Sequence, residues 1–146
     1  MIKLVNPHTG DRLSTVYWVE GEYIPEVFAQ IDHVMRDWRN DAVHRISPNV
    51  IDIMSAAHRL LDTSEPYTVF SGYRSRQTNA MLRRNSRAVA ENSYHTRGMA
   101  ADLHLSSRSV RQMARAATQL SSGGVGSYSR SNFVHMDCGP VRTWGA

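Results

Sequence analysis

Residues 93–102 read SYHTRGMAAD, and the rest of the chain is organised around them. His95 and Asp102 stand seven positions apart in this stretch, and the aspartate belongs to a strand-like run over residues 99–105. Gly98 lies between them and suits a tight return of the chain, because glycine lacks the Cβ that restricts backbone conformation. The spacing suggests that both side chains reach one point, as two ligands of a single metal ion would.

A third candidate ligand, His135, lies in a second strand-like run, FVHMD at residues 133–137. Side chains alternate between the two faces of a strand, so His135 and Asp137 share one face. The same rule places Asp102 on a face with His104. If the strands are neighbours, two imidazoles and one carboxylate meet and leave a fourth position for water, as catalytic zinc requires. Spacing alone leaves open a plainer interpretation, polar residues on a solvent-facing sheet.

The composition is that of an ordinary globular protein with one domain, residues 1–146. Hydrophobic residues make up 41% of the chain and charged residues 21%, which excludes a disordered polymer. The net charge is +4, and Lys3 is the only lysine among 17 basic residues. Arginine suits carboxylates and phosphates, but these arginines form no basic helical stripe, so we expect no nucleic-acid partner. An anionic cell-wall polymer is compatible with the charge.

Hydrophobic periodicity and capping residues predict an α+β fold. Two helices are predicted over residues 25–38 and 48–62, and a third is predicted to end near residue 120 after an N-cap at Ser107 or Ser109. The predicted strands cover residues 67–70, 99–105, 125–128 and 132–137. A further short helix is expected to begin near residues 80–82. We expect the helices to pack on one side of a small, mostly antiparallel sheet that carries the metal site. Residues 1–24 should form an arm or hairpin packed on this domain.

Four motifs in the chain resemble one family of metallopeptidases. Residues 93–102 match, at every fixed position, the Ser-x-His-x-x-Gly-x-Ala-x-Asp motif of the zinc D-alanyl-D-alanine peptidases. That superfamily includes DD-carboxypeptidases, D-Ala-D-Ala dipeptidases and the hedgehog signalling domain. The closest resemblance is to the branch typified by murein endopeptidase K. It is carried by residues 71–75, 78–82, 123–126 and 131–139, and it extends to residues 5–10 and 35–39.

The resemblance implies one zinc ion per chain, held by His95, Asp102 and His135. It also implies an enzyme that hydrolyses peptide cross-links of peptidoglycan, with the peptide stems as its partner. An endopeptidase of the DD or LD type is favoured over a carboxypeptidase. We expect a monomer that is periplasmic or exported, although an export signal is absent from this chain, and no membrane-spanning segment.

Arg74 follows the strand predicted over residues 67–70. Its guanidinium could pair with a substrate carboxylate or stabilise the oxyanion of a tetrahedral intermediate. The resemblance implies such a role, because an arginine after this strand contributes to the site across the superfamily. A structural salt bridge to a loop is the alternative. Ser93 and Tyr128 are further candidates for substrate binding.

The general base is the position at which this chain departs from its relatives. Other branches place a carboxylate three residues before the last ligand, or a histidine two residues before it. Here those positions hold Asn132 and Phe133, and neither side chain can accept the proton. Asp137 is a candidate base, but it could equally orient an imidazole and raise its basicity. His104 is a weaker candidate, expected to support the ligands or the fold.

The missing base also supports a second function from a different class. A zinc-stabilised module could bind peptidoglycan without hydrolysing it, as the hedgehog domain illustrates for this superfamily. Cys138, the only cysteine, excludes an intrachain disulfide and is expected to be a small buried residue rather than a fourth ligand.

Overall fold

A computed structural model describes residues 1–145, which form nine strands and four α-helices. The strands are β1 (Ile2–Val5), β2 (Arg12–Thr15), β3 (Trp18–Val19), β4 (Glu22–Tyr23), β5 (Tyr67–Ser71), β6 (Ala100–His104), β7 (Gly124–Tyr128), β8 (Phe133–Asp137) and β9 (Arg142–Gly145). The helices are α1 (Pro25–Val34), α2 (Pro48–Leu61), α3 (Arg76–Asn85) and α4 (Val110–Gln119), with a 3₁₀ turn at Tyr94–Arg97.

Seven strands form one sheet in the order β2-β1-β5-β6-β8-β7-β9. The β1–β5 and β7–β9 pairs are parallel, and the other four pairs are antiparallel. The predicted α+β class and the mostly antiparallel sheet are therefore confirmed. Residues 1–24 contribute two hairpins: β1–β2 joins the main sheet beside β5, whereas β3–β4 forms a separate two-stranded sheet.

One face of the central strands is apolar and packs against helices. Val69, Leu103 and Met136 are at most 1% exposed and belong to the same core as Met54 of α2 and Met113 of α4. Helices α2 and α4 contact each other, and both contact β8. Because side chains alternate along a strand, the opposite face is left for polar residues. The metal-site candidates of β6 and β8 lie on that face.

Helices α2 and α4 begin directly after serine residues that cap them. Ser47 accepts a hydrogen bond from the Asn49 amide at the start of α2, with Pro48 in the first turn. Ser109, rather than Ser107, caps α4 and forms a capping box with Gln112. None of the helices formed by residues 1–145 is both long and apolar enough to cross a membrane.

Helix α1 ends at Val34, so the predicted continuation to Trp38 is wrong. The chain turns instead, because the Asp37 amide donates to the Ala42 carbonyl at 2.9 Å and Asp41 adopts a left-handed φ of 59°. The buried Asp37 carboxylate also accepts a hydrogen bond from the Ser75 amide at 3.0 Å. This turn therefore anchors the start of α3, which begins at Arg76 rather than near residues 80–82 as predicted.

A carboxylate near the start of β5 fixes the turn that follows β6. Glu65 Oε2 accepts hydrogen bonds from the Ser106 amide at 2.8 Å and hydroxyl at 2.7 Å, and Oε1 accepts one from the Ser107 amide at 2.8 Å. Desolvation alone would raise the pKa of Glu65, but hydrogen bonds from Ser107 and Ser106 outweigh it and lower the pKa to about 2. The ionised carboxylate therefore stabilises the folded state.

Replacement of Glu65 by glutamine should destabilise the protein in a pH-dependent way. Because the folded pKa lies below the unfolded value, the contribution is full above about pH 5 and is lost as the pH falls towards 2. We expect Glu65→Gln to lower the free energy of unfolding by about 1 kcal/mol at pH 7. Urea denaturation from pH 3 to 7 measures this difference. The exposed Glu22→Gln is the control, and a wild-type–variant difference that grows towards low pH would contradict the account.

Candidate metal centre

Three candidate ligands converge on the polar face of the sheet. Asp102 of β6 and His135 of β8 are direct partners in the antiparallel register, and His135 Nδ1 lies 3.0 Å from Asp102 Oδ1. His95 Nε2 lies 3.2 Å from the same oxygen. The three ligand atoms are within 4.8 Å of one another, and each of the three residues is at most 9% exposed. The two strands are neighbours, as the expected convergence of these side chains required.

His95 reaches the strands through the 3₁₀ turn that Gly98 ends. Gly98 has a φ of 66°, and a Cβ there would lie 2.2 Å from the Arg45 carbonyl oxygen, so the position requires glycine. Its own carbonyl accepts a hydrogen bond from the Ser47 amide at 2.8 Å. The Ser93 hydroxyl caps the turn by accepting a hydrogen bond from the His95 amide at 3.2 Å. The expected tight return at Gly98 is confirmed.

The hydrogen bonds on the outer side of each imidazole select its tautomer. His95 Nδ1 lies 2.8 Å from the Gly72 carbonyl oxygen, which can only accept, so Nδ1 carries the proton and Nε2 presents a lone pair. His135 Nε2 lies 2.7 Å from Asp137 Oδ2, so its Nδ1 presents a lone pair in the neutral ring. Together with Asp102 this makes a donor set of two nitrogens and one oxygen, which fits zinc.

The charges within the centre are strongly coupled. Desolvation lowers the pKa of His95, which favours the neutral ring. Desolvation would raise the pKa of Asp102, but His95 and His135 hold it far below its usual range, so this carboxylate is ionised. For His135, burial would lower the pKa, but hydrogen bonds to Asp102 and Asp137 raise it to about 9. A cation at the centre would therefore displace a proton from His135.

Asp137 lies behind His135 and has its acceptor positions filled. Its Oδ1 accepts hydrogen bonds at 3.0 Å each from the Gly124 amide, the Gly139 amide and Arg142 Nη1. Its Oδ2 accepts from His135 and, at 2.9 Å, from Arg142 Nη2. The residue is 0% exposed, and it is absent from the lining of the cavity described below. Of the two interpretations left open by the sequence, this geometry favours orientation of the imidazole over proton transfer from water.

Arg74 brings a buried guanidinium to the opposite side of Asp102. Its Nη2 lies 3.6 Å from Asp102 Oδ2, and its Nη1 donates to Asn79 Oδ1 at 3.2 Å. The Arg74 amide donates to the His95 carbonyl at 3.0 Å, so the residue is tied to the 3₁₀ turn. The Nε atom is buried and has no hydrogen-bond partner among the described residues. Arg74 also lines the cavity described below, beside Asp102.

A cavity of about 320 Å³ opens over the centre. Its lining comprises Arg74, Ala88, Val89, Ala90, Asn92, Ser93, Tyr94, His95, Asp102, Tyr128, Phe133, His135, Arg142 and Trp144. Ser93 and Tyr128, predicted to bind substrate, are among these residues. Asp102 is the only carboxylate in this lining, within the described part of the chain. The larger cavity of about 660 Å³, between β1 and α2, includes none of the three ligands.

Two other predicted residues lie outside the cavity. His104 shares the face of Asp102 but stacks on Phe70 with ring centroids 5.5 Å apart, and its Nδ1 is 2.8 Å from the Asn132 carbonyl oxygen. Its contacts are therefore those of a residue that supports the fold. Cys138 is half-buried, with its sulfur 3.7 Å from the Ser47 hydroxyl, and it is not part of the ligand cluster.

The sequence interpretation missed the contribution of β9. Trp144 lines the cavity, with its ring centroid 5.1 Å from that of His135, and its Nε1 donates to the Tyr128 hydroxyl at 2.9 Å. A Cβ at Gly126 would lie 2.5 Å from the Trp144 ring, so the glycine makes room for the indole. Glycine within a strand is a signal of such close approach, and GGVG at residues 123–126 could have revealed it.

Comparison with known proteins agrees with this geometry. A family described as "Peptidoglycan L,D-endopeptidase MepK" matches residues 1–144. The chain is 41% identical over 144 residues to the peptidoglycan L,D-endopeptidase MepK of Escherichia coli strain K12, covering 99% of this chain and 79% of that protein. It is also 41% identical over 140 residues to the probable peptidoglycan L,D-endopeptidase MepK of Haemophilus influenzae, covering 95% of this chain and 75% of the relative. The resemblance inferred from the motifs is confirmed.

Loss of any one ligand should abolish tight metal binding. We expect the zinc-reconstituted protein to hold one zinc per chain by elemental analysis. The variants His95→Ala, Asp102→Ala and His135→Ala should each bind zinc at least about 100-fold more weakly, since a centre with three protein ligands loses one of them. His33→Ala, which removes an exposed imidazole, is the matched control. Full zinc occupancy in all three ligand variants would contradict the assignment.

Replacement of Asp137 separates its two possible roles. If the carboxylate orients His135, Asp137→Asn should weaken zinc affinity by about 10- to 100-fold. If it acted only as a base, zinc affinity would be unchanged and turnover alone would fall. Competition with a chromophoric chelator measures the affinity, and thermal melting verifies folding. Asp41→Asn, at a position with a 78% exposed side chain, is the control.

Proposed function

Because the chain belongs to the peptidoglycan L,D-endopeptidase MepK family, we propose that it is a zinc endopeptidase that hydrolyses L,D peptide cross-links in peptidoglycan. The observation that carries the proposal is the convergence of His95, Asp102 and His135 in a cavity, within a chain that matches the family from residue 1 to residue 144. One zinc ion per chain and action as a monomer are part of the proposal.

Zinc held by these three residues would supply a Lewis acid that activates water and polarises the scissile carbonyl. Gly72 and Asp137 would keep the two imidazoles in the tautomers that ligation requires. The protein's part in this chemistry is therefore to hold a fixed, largely buried set of donors. Such preorganisation costs no rearrangement as the reaction proceeds.

Arg74 is the residue that we propose stabilises negative charge on the reacting carbonyl oxygen. Arg74 is 8% exposed and lines the cavity, with its Nη2 3.6 Å from Asp102 Oδ2. A guanidinium held in place at the cavity wall would donate a charge-assisted hydrogen bond when the carbonyl oxygen becomes an oxyanion. Pairing with a carboxylate of the substrate is the other use of the same donor.

The aromatic wall formed by Tyr128, Phe133 and Trp144 is proposed to hold the aliphatic parts of the peptide stem. The Tyr128 and Phe133 rings stack with centroids 4.6 Å apart, and the Tyr128 hydroxyl accepts a hydrogen bond from Trp144. Ser93, which caps the 3₁₀ turn and lines the same cavity, is proposed as a further contact. Because peptidoglycan lies outside the cytoplasmic membrane, the proposal places the protein in the periplasm or at the cell exterior.

A peptidoglycan-binding module without catalysis is the second candidate. Its support is the cavity lining, which contains no carboxylate other than Asp102 and no imidazole other than those of His95 and His135, among the described residues. No separate general base is therefore available in this lining. Both candidates require the same metal centre, and they differ only in turnover.

Mass spectrometry of defined muropeptide dimers tests the proposal. The zinc-loaded protein should convert dimers joined by the L,D bond between two diaminopimelates into monomers, and removal of zinc by a chelator should stop this reaction. Dimers with the DD bond are the comparison substrate, and they should react more slowly. The zinc-loaded His33→Ala variant should keep full activity.

Two outcomes would contradict the endopeptidase assignment. One is activity that persists in His95→Ala or after chelation. The other is the absence of cleavage of any dimer by zinc-loaded protein that nevertheless binds sacculi, which would favour the binding module.

A further inference from the structure

A second cleft adjoins the cavity of the metal centre and is lined by arginines. It has a volume of about 400 Å³, and its basic residues are Arg76 and Arg83 of α3 and Arg97 of the 3₁₀ turn. We call these three residues the arginine cleft. Glu91 is the only acidic residue in its described lining, so the charge of the lining is three positive minus one negative, or +2.

The arginines of this cleft are weakly paired within the protein. Neither Arg76 nor Arg97 forms a salt bridge with a described residue, and Arg97 lies over the Tyr94 ring at 5.6 Å. Arg83 Nη2 is 4.0 Å from Glu91 Oε2, with both side chains well exposed, so this pair contributes little. The guanidinium groups therefore remain available to an anionic ligand.

The cleft and the cavity share a wall. Asn92 lines both, and the chain immediately before it is held by the buried Asn79, whose Nδ2 donates to the carbonyls of Ala90 at 3.0 Å and Glu91 at 3.3 Å. Asn79 Oδ1 accepts the hydrogen bond from Arg74. One buried amide thus ties the wall to the guanidinium beside the metal centre. A peptide bound in the cavity can continue over this wall into the arginine cleft.

We infer that the arginine cleft binds a free carboxylate of the peptidoglycan stem while the scissile bond lies at the metal centre. Arginine forms bidentate hydrogen bonds with carboxylates, and the stem peptides carry carboxylates that are not used in the cross-link. The inference rests on the proposed function and adds a determinant of substrate choice. The cleft acts through charge, and none of its arginines touches the reacting atoms.

The test compares two arginine triples on two substrates. The cleft variant carries Arg76→Gln, Arg83→Gln and Arg97→Gln. The control carries Arg111→Gln, Arg115→Gln and Arg130→Gln, which removes the same charge from exposed positions elsewhere. The substrates are an L,D-linked muropeptide dimer and the same dimer with its free carboxylates amidated.

The cleft variant should raise KM for the carboxylate substrate about tenfold or more, with kcat within about twofold of wild type. On the amidated dimer the cleft variant and wild type should have the same KM, because the partner of the arginines is gone. Raising the salt concentration should increase the wild-type KM but leave that of the cleft variant nearly unchanged. The control triple should behave as wild type on both substrates. Zinc content and melting temperature establish that each variant is folded.

Equal KM values for the cleft and control triples would overturn the inference, and so would an equal loss on both substrates. If wild type cleaves neither dimer, the proposed function fails, and the cleft is tested by calorimetric titration with the same two peptides. About tenfold weaker binding of the carboxylate peptide to the cleft variant alone would support the inference. Indistinguishable binding to wild type and variant would refute it.

Discussion

The antiparallel register between β6 and β8 is the constraint on which the rest of the structure depends. It sets Asp102 directly opposite His135 on the polar face, while Leu103 and Val134 face the helices. A slip of one residue would turn the ligands of one strand into the core and its apolar side chains out. The packing of α2 and α4 on the apolar face therefore stabilises the strand register that also holds the metal ligands together.

The centre contains a buried network of charged and titratable side chains. Asp102 lies between His95, His135 and Arg74, and Asp137 lies between His135 and Arg142. Replacing buried ion pairs by apolar residues is often neutral or stabilising, so such a network is weak evidence for a role in stability. Its alternation of sign keeps the imidazoles oriented and holds the Arg74 guanidinium beside Asp102 at the cavity. Both features serve a bound ligand better than they serve the folded state.

The sequence predicted the parts of the site that depend on local pattern. The turn at Gly98 and the caps of α2 and α4 follow from spacing and residue type over a few positions, whereas the ligand set was implied by the family resemblance. Trp144 was missed because its place in the cavity depends on the pairing of β9 with β7, and the glycines at residues 123–126 indicate a close approach without identifying the residue that makes it. The role of Asp137 stayed open because the donors to its oxygens come from three places: Gly124 on β7, Gly139 in the turn after β8, and Arg142 on β9.

The central claim is that His95, Asp102 and His135 hold one metal ion on the polar face of the sheet. Anomalous diffraction at the zinc absorption edge, from crystals of the zinc-loaded protein, tests this claim most directly. The account predicts a single strong peak within about 2.0–2.2 Å of His95 Nε2, His135 Nδ1 and an Asp102 carboxylate oxygen. A peak bound by other residues, or no peak at these atoms despite stoichiometric zinc, would contradict it.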